Sequence, residues 1–186
     1  MSVLRSRVII AGEPTVGKTC IVNQLINSTF NHNYMMTQGC DYHVKDIQLE
    51  DDDYYSRVEL HLIDMAGQNI FKEITFELMG KANMIVLVYD VSNPDTFHLL
   101  RTWFDQIKQQ NNGRDLAGVV VANKVDLENR AQIGTADGQA FAQSIGFEFF
   151  ECSSLQSKGI DAPFKCLANM VKQRYEERVA MLRAGK

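Results

Sequence analysis

Eight residues near the start of the chain have the types and the spacing that bind a polyphosphate. Residues 12–19 read Gly-Glu-Pro-Thr-Val-Gly-Lys-Thr and match the pattern G-x-x-x-x-G-K-[ST]. Glycines let such a loop approach phosphate oxygens with its N–H groups pointing inward, a lysine reaches the outer phosphates, and a hydroxyl binds Mg²⁺. We therefore predict phosphate contacts from Gly12, Glu13, Pro14, Thr15, Val16, Gly17, Lys18, Thr19 and the adjacent Cys20, with Thr19 also a magnesium ligand.

A second segment, residues 64–68, follows a strand-like stretch and reads Asp-Met-Ala-Gly-Gln. An aspartate at a strand end can hold Mg²⁺, usually through water, and the Gly67 N–H can approach a terminal phosphate. The pattern D-x-x-G alone is typical of an ordinary turn. Its position one hairpin after the phosphate loop makes Asp64 a predicted metal ligand.

A third segment, residues 123–126, reads Asn-Lys-Val-Asp and follows another buried strand. Open α/β sheets bind ligands at the carboxyl ends of their strands. The Asp126 carboxylate can accept two hydrogen bonds from the N1–H and 2-amino groups of guanine, a pair that adenine lacks. Two such bonds would favour guanine by roughly 10²–10⁴-fold. We predict base contacts from Asn123, Lys124 and Asp126.

Hydrophobic patterning predicts the elements that position these segments. Strands are predicted at residues 7–11, 42–49, 57–64, 84–90, 118–122 and 147–151, and helices at 18–27, from 94 to about 107, at 135–145 and at about 162–183. Alternating strands and helices predict an α/β fold with helices on both faces of an open sheet. We expect one domain over residues 1–186, with a six-stranded, mostly parallel sheet that has one antiparallel edge strand.

Composition excludes several classes of protein. The net charge of −4, without a basic run, argues against nucleic-acid binding, and the longest apolar run, residues 84–89, is too short to cross a bilayer. The acidic run 50–53 favours a solvated turn over a calcium loop, because it lacks the required glycine and ligand spacing. Widely spaced cysteines indicate reduced core residues rather than a zinc or redox site; they are Cys20, Cys40, Cys152 and Cys166.

The three segments and their order resemble those of the Ras superfamily of small GTPases over essentially the whole chain. The resemblance implies the small G-protein variant of the P-loop NTPase fold, with GTP or GDP and Mg²⁺ as cofactors. Thr37, within residues 34–39, matches the switch threonine that closes onto Mg²⁺ and the terminal phosphate. Residues 151–155 occupy the place of the family's E-x-S-A-K loop, although Ser154 and Leu155 depart from it. The resemblance thus adds nucleotide contacts at Phe30, Tyr34, Thr37, Gly67, Ser153 and Ser154.

Slow GTP hydrolysis is the activity that the resemblance implies. Gln68 stands where Ras-like enzymes carry the glutamine that orients the attacking water, so it is the expected catalytic residue. Pro14 and Thr15 replace residues that are usually small, and Pro14 lacks an N–H and adds bulk near the terminal phosphate. We expect basal turnover within about tenfold of the ~3–5 × 10⁻⁴ s⁻¹ of unassisted Ras, with weak stimulation by general Rab activators.

Residues 34–39, 161–164 and 175–179 resemble the Rab-like GTPases of intraflagellar transport complex B. That resemblance implies a cytoplasmic and ciliary or flagellar location, and pairing with a small β-sandwich subunit and with other subunits of complex B. No cysteine follows Cys166, so we expect no direct lipid anchor. An ordinary vesicle-trafficking Rab is the alternative.

Two functional classes remain open. The first is a regulatory switch that hydrolyses GTP, and the second is an interaction subunit that binds nucleotide for structure and turns over little. A P-loop kinase is disfavoured, because residues 123–126 would have no role in it.

Overall fold

A six-stranded sheet forms the centre of the molecule, with the strand order β2-β3-β1-β4-β5-β6. The structure, a computed structural model, describes residues 3–33, 35–49 and 57–184. The strands are β1 (Leu4–Ala11), β2 (Cys40–Gln48), β3 (Arg57–Met65), β4 (Met84–Asp90), β5 (Ala117–Asn123) and β6 (Glu148–Glu151). Only the β2–β3 pairing is antiparallel among these strands, which confirms the predicted sheet.

Six α-helices surround the sheet in the described part of the chain. They are α1 (Lys18–Asn27), α2 (Lys72–Met79), α3 (Pro94–His98), α4 (Leu100–Gln110), α5 (Thr135–Ser144) and α6 (Asp161–Ala184). The single helix predicted from residue 94 is divided at Leu99, although helical bonding continues there, since the Leu99 N–H donates to the Asp95 carbonyl. Sequence analysis missed α2, a short helix without a side-chain cap at its start.

Burial of β4 explains why its sequence is apolar throughout. All seven of its residues are buried, and parallel neighbours β1 and β5 flank it. Side chains alternate between two cores. Val8 and Ile10 of β1 face α1 and α6, whereas Ile9 and Ala11 face α2, α4 and α5. The parallel strands end at one shared edge, and the loops that follow them converge there.

The long helix α6 changes character along its length. Phe164, Leu167 and Ala168 are fully buried against the sheet. Met181 and Leu182, near its end, are 74% and 67% exposed. No helix of the described residues has both the length and the apolar character needed to cross a membrane.

Phe164→Ala should lower the free energy of unfolding by about 3–5 kcal/mol, because it leaves a cavity in the core between α6 and the sheet. Urea denaturation under identical conditions measures the change. Met181→Ala on the same helix is the matched control and should stay within about 0.5 kcal/mol of the parent, because its side chain is exposed. Equal losses in the two variants would contradict the described packing of α6.

Candidate functional site

A cavity of about 710 Å³ opens at the carboxyl edge of the sheet, a size common for small-molecule sites. It brings together residues from each predicted segment. Those that line it are Pro14, Thr15, Gly17, Lys18, Thr19, Cys20, Phe30, Thr37, Gly67, Gln68, Lys124, Asp126 and Ser154. Six other predicted site residues in the described part of the chain are not part of this lining: Gly12, Glu13, Val16, Asp64, Asn123 and Ser153. Tyr34 lies outside the described residues.

The phosphate loop requires glycine at both glycine positions of its sequence pattern. Gly12 and Gly17 have φ angles of +145° and +97°, which L side chains rarely adopt. A Cβ at Gly12 would lie 2.2 Å from the Val88 carbonyl oxygen, and one at Gly17 would lie 2.3 Å from the Asn123 amide nitrogen. Thr15 also has a positive φ, of +64°, and its side chain is exposed in the cavity. The loop is therefore held close to the sheet.

Lys18 places a buried amine at the centre of this loop. Its Nζ donates to the carbonyl oxygens of Gly12 and Glu13, both at 2.8 Å. Burial lowers the pKa of Lys18 to about 8, although the negative charges of Asp64 and Glu13 oppose that shift. An anionic ligand in the cavity would supply the counter-charge that the buried amine needs.

An oxygen cluster beside Lys18 has the chemistry of a magnesium site. The Thr19 hydroxyl donates to Asp64 Oδ2 at 2.5 Å and lies 2.9 Å from the Thr37 hydroxyl. Asp64 is fully buried, its Oδ1 has no hydrogen-bond partner among the described residues, and burial raises its pKa to about 6 against the effects of Thr19 and Lys18. Hydroxyl and carboxylate oxygens are the hard ligands that Mg²⁺ prefers. These residues therefore fit a hydrated magnesium ion.

The metal chemistry of this cluster depends on hydroxyl groups. In the described ranges no group of three or more His, Cys, Asp or Glu side chains is placed to hold a metal ion. Mg²⁺ here would be held by Thr19, Thr37 and Asp64 together with water and ligand oxygens, an arrangement typical of phosphate sites.

Asn123 joins the two ends of the cavity without lining it. The Asn123 side chain is fully buried, and its Nδ2 donates to the Val16 carbonyl at 2.8 Å. Its Oδ1 accepts the Ser154 N–H at 3.2 Å. Gln24, from α1, donates to the Ser154 carbonyl at 2.8 Å. The loop after β6 is thus fastened to both β5 and α1.

Asp126 reaches the cavity with one carboxylate oxygen already engaged. Ser153 donates its hydroxyl to Asp126 Oδ1 at 2.5 Å. Ser153 is fully buried, so it orients the carboxylate while Asp126 lines the cavity. The arrangement leaves acceptor capacity on Asp126 for a ligand with adjacent N–H donors.

Asp90 is a site residue that sequence analysis missed. Lys124, with a φ of +66°, places its Nζ 2.6 Å from Asp90 Oδ2. Asp90 ends β4, the neighbour of β5, and its backbone pairs in register with Asn123. A carboxylate at the end of a central strand was the signal that could have identified it.

The segment around Gly67 packs against the phosphate loop at the edge of the cavity. A Cβ on Gly67 would lie 2.5 Å from the Pro14 nitrogen and 2.6 Å from the Glu13 carbonyl carbon. Backbone of this segment therefore packs directly on the phosphate loop, and Gln68 follows it into the cavity. Asp41 and His43 of β2 also line the cavity and were not predicted as site residues. They reach the cavity because β2 begins at the edge of the sheet where β3 ends, with Cys40 opposite Met65.

Comparison with known proteins agrees with this geometry. A model of the Ras family matches residues 7–173. The intraflagellar transport protein 27 homologs of Mus musculus and Homo sapiens are 38% and 37% identical, over 95% and 97% of both chains respectively. The homolog of Trypanosoma brucei brucei is 33% identical over 96% of both chains. Ras-family GTPases generally bind GTP or GDP with Mg²⁺. The predicted resemblance is confirmed: the chain belongs to the Ras family, alongside the intraflagellar transport protein 27 homologs.

Proposed function

We propose that this protein is a nucleotide switch that binds GTP or GDP with Mg²⁺ and hydrolyses GTP slowly. The observation that carries the proposal is the convergence of three groups at one cavity. These groups are the phosphate loop with its buried lysine, the oxygen cluster of Thr19, Thr37 and Asp64, and the Asp126 carboxylate. The phosphate loop matches the phosphates of a nucleoside polyphosphate, the oxygen cluster matches its magnesium ion, and the Asp126 carboxylate matches its base.

Each part of the nucleotide has a matching group in the chain. Lys18 and the loop N–H groups would neutralise and orient the phosphates, and Asp126 would accept hydrogen bonds from guanine. When bound, Mg²⁺ would neutralise charge on the outer phosphates. The 2.9 Å approach of Thr37 to Thr19 supports a switch, because it brings the segment before β2 to the proposed metal site. A structural subunit would not need that approach.

Asp126→Ala should weaken the binding of GTP and GDP together, by roughly 10²–10⁴-fold, because two hydrogen bonds to a charged group are lost. Magnesium dependence should persist, since Asp126 makes no contact with the oxygen cluster. Displacement of a fluorescent guanine nucleotide measures both affinities. Asp115→Ala, at an exposed aspartate before β5, is the control and should bind like the parent. Equal affinity of the parent for ATP and GTP would contradict guanine selection.

Hydrolysis is proposed to depend on Gln68. This residue follows Gly67, which packs on the phosphate loop, and it lines the cavity near the proposed position of the terminal phosphate. There it would orient water for attack, a step that depends mainly on positioning. Pro14 also lines the cavity, and it has no N–H to donate to a phosphate. We propose a basal rate within about tenfold of the ~3–5 × 10⁻⁴ s⁻¹ of unassisted Ras.

Gln68→Leu should slow single-turnover GTP hydrolysis at least about tenfold, because leucine cannot orient water. The GTP affinity should change little, since the side chain is not needed for binding. Gln139→Leu, at an exposed position of α5, is the matched control and should hydrolyse GTP at the parental rate. A Gln68→Leu variant as fast as the parent would remove Gln68 from the mechanism.

A transport role is supported by the relatives, whose names place them in intraflagellar transport. We propose that this chain is a subunit of complex B, present in the cytoplasm and in the cilium or flagellum. Its contact with a small β-sandwich subunit would include the end of α6, where Met181 and Leu182 are adjacent and exposed. Clustered exposed apolar side chains often mark a protein contact. An ordinary vesicle-trafficking Rab is the second candidate.

Met181→Glu combined with Leu182→Glu should weaken binding of the purified β-sandwich subunit at least about tenfold, because charged side chains would be buried at the contact. Guanine-nucleotide affinity should be unchanged, since neither Met181 nor Leu182 lines the cavity. Titration calorimetry measures both. Gln139→Glu combined with Ala140→Glu adds the same charge on exposed positions of α5 as a control. Undiminished binding by the α6 variant would move the contact to the body of the protein.

A further inference from the structure

The phosphate loop contains an acidic side chain, which is an unfavourable charge beside a polyphosphate. Glu13 lies between Gly12 and Pro14, and its backbone carbonyl accepts a hydrogen bond from Lys18. A carboxylate free to turn toward the outer phosphates would repel them. Some interaction must therefore direct this side chain elsewhere.

Trp103 supplies that interaction from a different part of the fold. Its indole Nε1–H donates to Glu13 Oε1 at 2.8 Å, across 90 positions of the sequence. The two side chains lie at a separate cavity of about 220 Å³, together with Gly67 and residues of α2 and α4. The Glu13 carboxylate thus points toward α4 and does not line the nucleotide cavity.

The helix that carries Trp103 is rigidly placed. Leu100 and Ile107 of α4 are fully buried, and Phe104 packs edge-on against Phe147 at a centroid distance of 5.5 Å. Trp103 itself packs against the same core. An anchor on a packed helix holds a loop side chain in one orientation more strictly than a loop neighbour would.

The position of Glu13 indicates which nucleotide it affects. Gly67 packs against Glu13 and Pro14, at the end of the loop where a terminal phosphate would lie. A carboxylate displaced from Trp103 would therefore meet the third phosphate of GTP more than the two phosphates of GDP. We propose that Trp103 is a positioning residue whose hydrogen bond holds the Glu13 carboxylate away from the terminal-phosphate site and so preserves GTP affinity. This inference rests on the proposed nucleotide-binding function.

Affinities for GDP and a non-hydrolysable GTP analogue test the proposal in the full-length protein. Trp103→Phe removes the donor but keeps an aromatic ring. It should weaken binding of the GTP analogue relative to GDP by about three- to tenfold, the factor that one ordinary hydrogen bond represents. Glu13→Gln removes the charge but keeps an acceptor, so it should keep the ratio of the two affinities within about twofold of the parental ratio. The double variant should behave like Glu13→Gln, because the repelling charge is gone.

Two further variants separate positioning from a general structural role. Glu13→Asp keeps the charge but is too short to reach Trp103, so it should show the same selective loss without any change in the core. Phe104→Leu disturbs α4 without touching Glu13 and should leave the ratio of the two affinities unchanged. Trp103 is the only tryptophan, so its fluorescence should shift in Glu13→Asp more than in Glu13→Gln.

Three results would overturn the inference. They are an unchanged affinity ratio in Trp103→Phe, an equal loss for GDP and the GTP analogue, or a defect that persists when Glu13→Gln is added. Absence of guanine-nucleotide binding by the parent would be a different result, because it would refute the proposed function itself.

Discussion

The buried side chain of Asn123 joins the segments on which the cavity depends. It donates to the Val16 carbonyl in the phosphate loop and accepts the Ser154 N–H from the loop after β6. An asparagine can do both because its amide has a donor and an acceptor. The Asn123 side chain also requires glycine at position 17, since a Cβ there would lie 2.3 Å from the Asn123 amide nitrogen. The phosphate loop and the loop after β6 are therefore held at a set separation.

Two opposite charges are buried within this frame. Burial lowers the pKa of Lys18 to about 8 and raises that of Asp64 to about 6, while each charge opposes the shift of the other. Lys18 turns to backbone carbonyls, and Asp64 Oδ1 has no partner among the described residues. A polyphosphate would supply negative charge to Lys18, and Mg²⁺ would supply positive charge to Asp64. Binding of both would stabilise the folded protein as well as fill the site.

Prediction from sequence succeeded where structure is decided locally or by a long pattern. Helix α1 has its predicted bounds because the phosphate loop directly precedes it. Strand β4 has its predicted bounds because it is an unbroken apolar run that is covered on both faces. Helix α2 was missed, because it has eight residues and no capping side chain. The division at Leu99 was missed as well, because the apolar spacing continues across it.

The sequence by itself determined the phosphate loop, the order of the motifs and the sheet that carries them, because each depends on neighbouring residues or on side-chain periodicity. Tertiary structure decided how the functional side chains are oriented. Asp90 contacts Lys124, and Trp103 contacts Glu13, only because packed strands and helices bring distant positions together. Tertiary structure also decided that Asn123 binds the phosphate loop through the Val16 carbonyl and does not line the cavity. Such contacts depend on the relative placement of whole elements, which local sequence patterns do not encode.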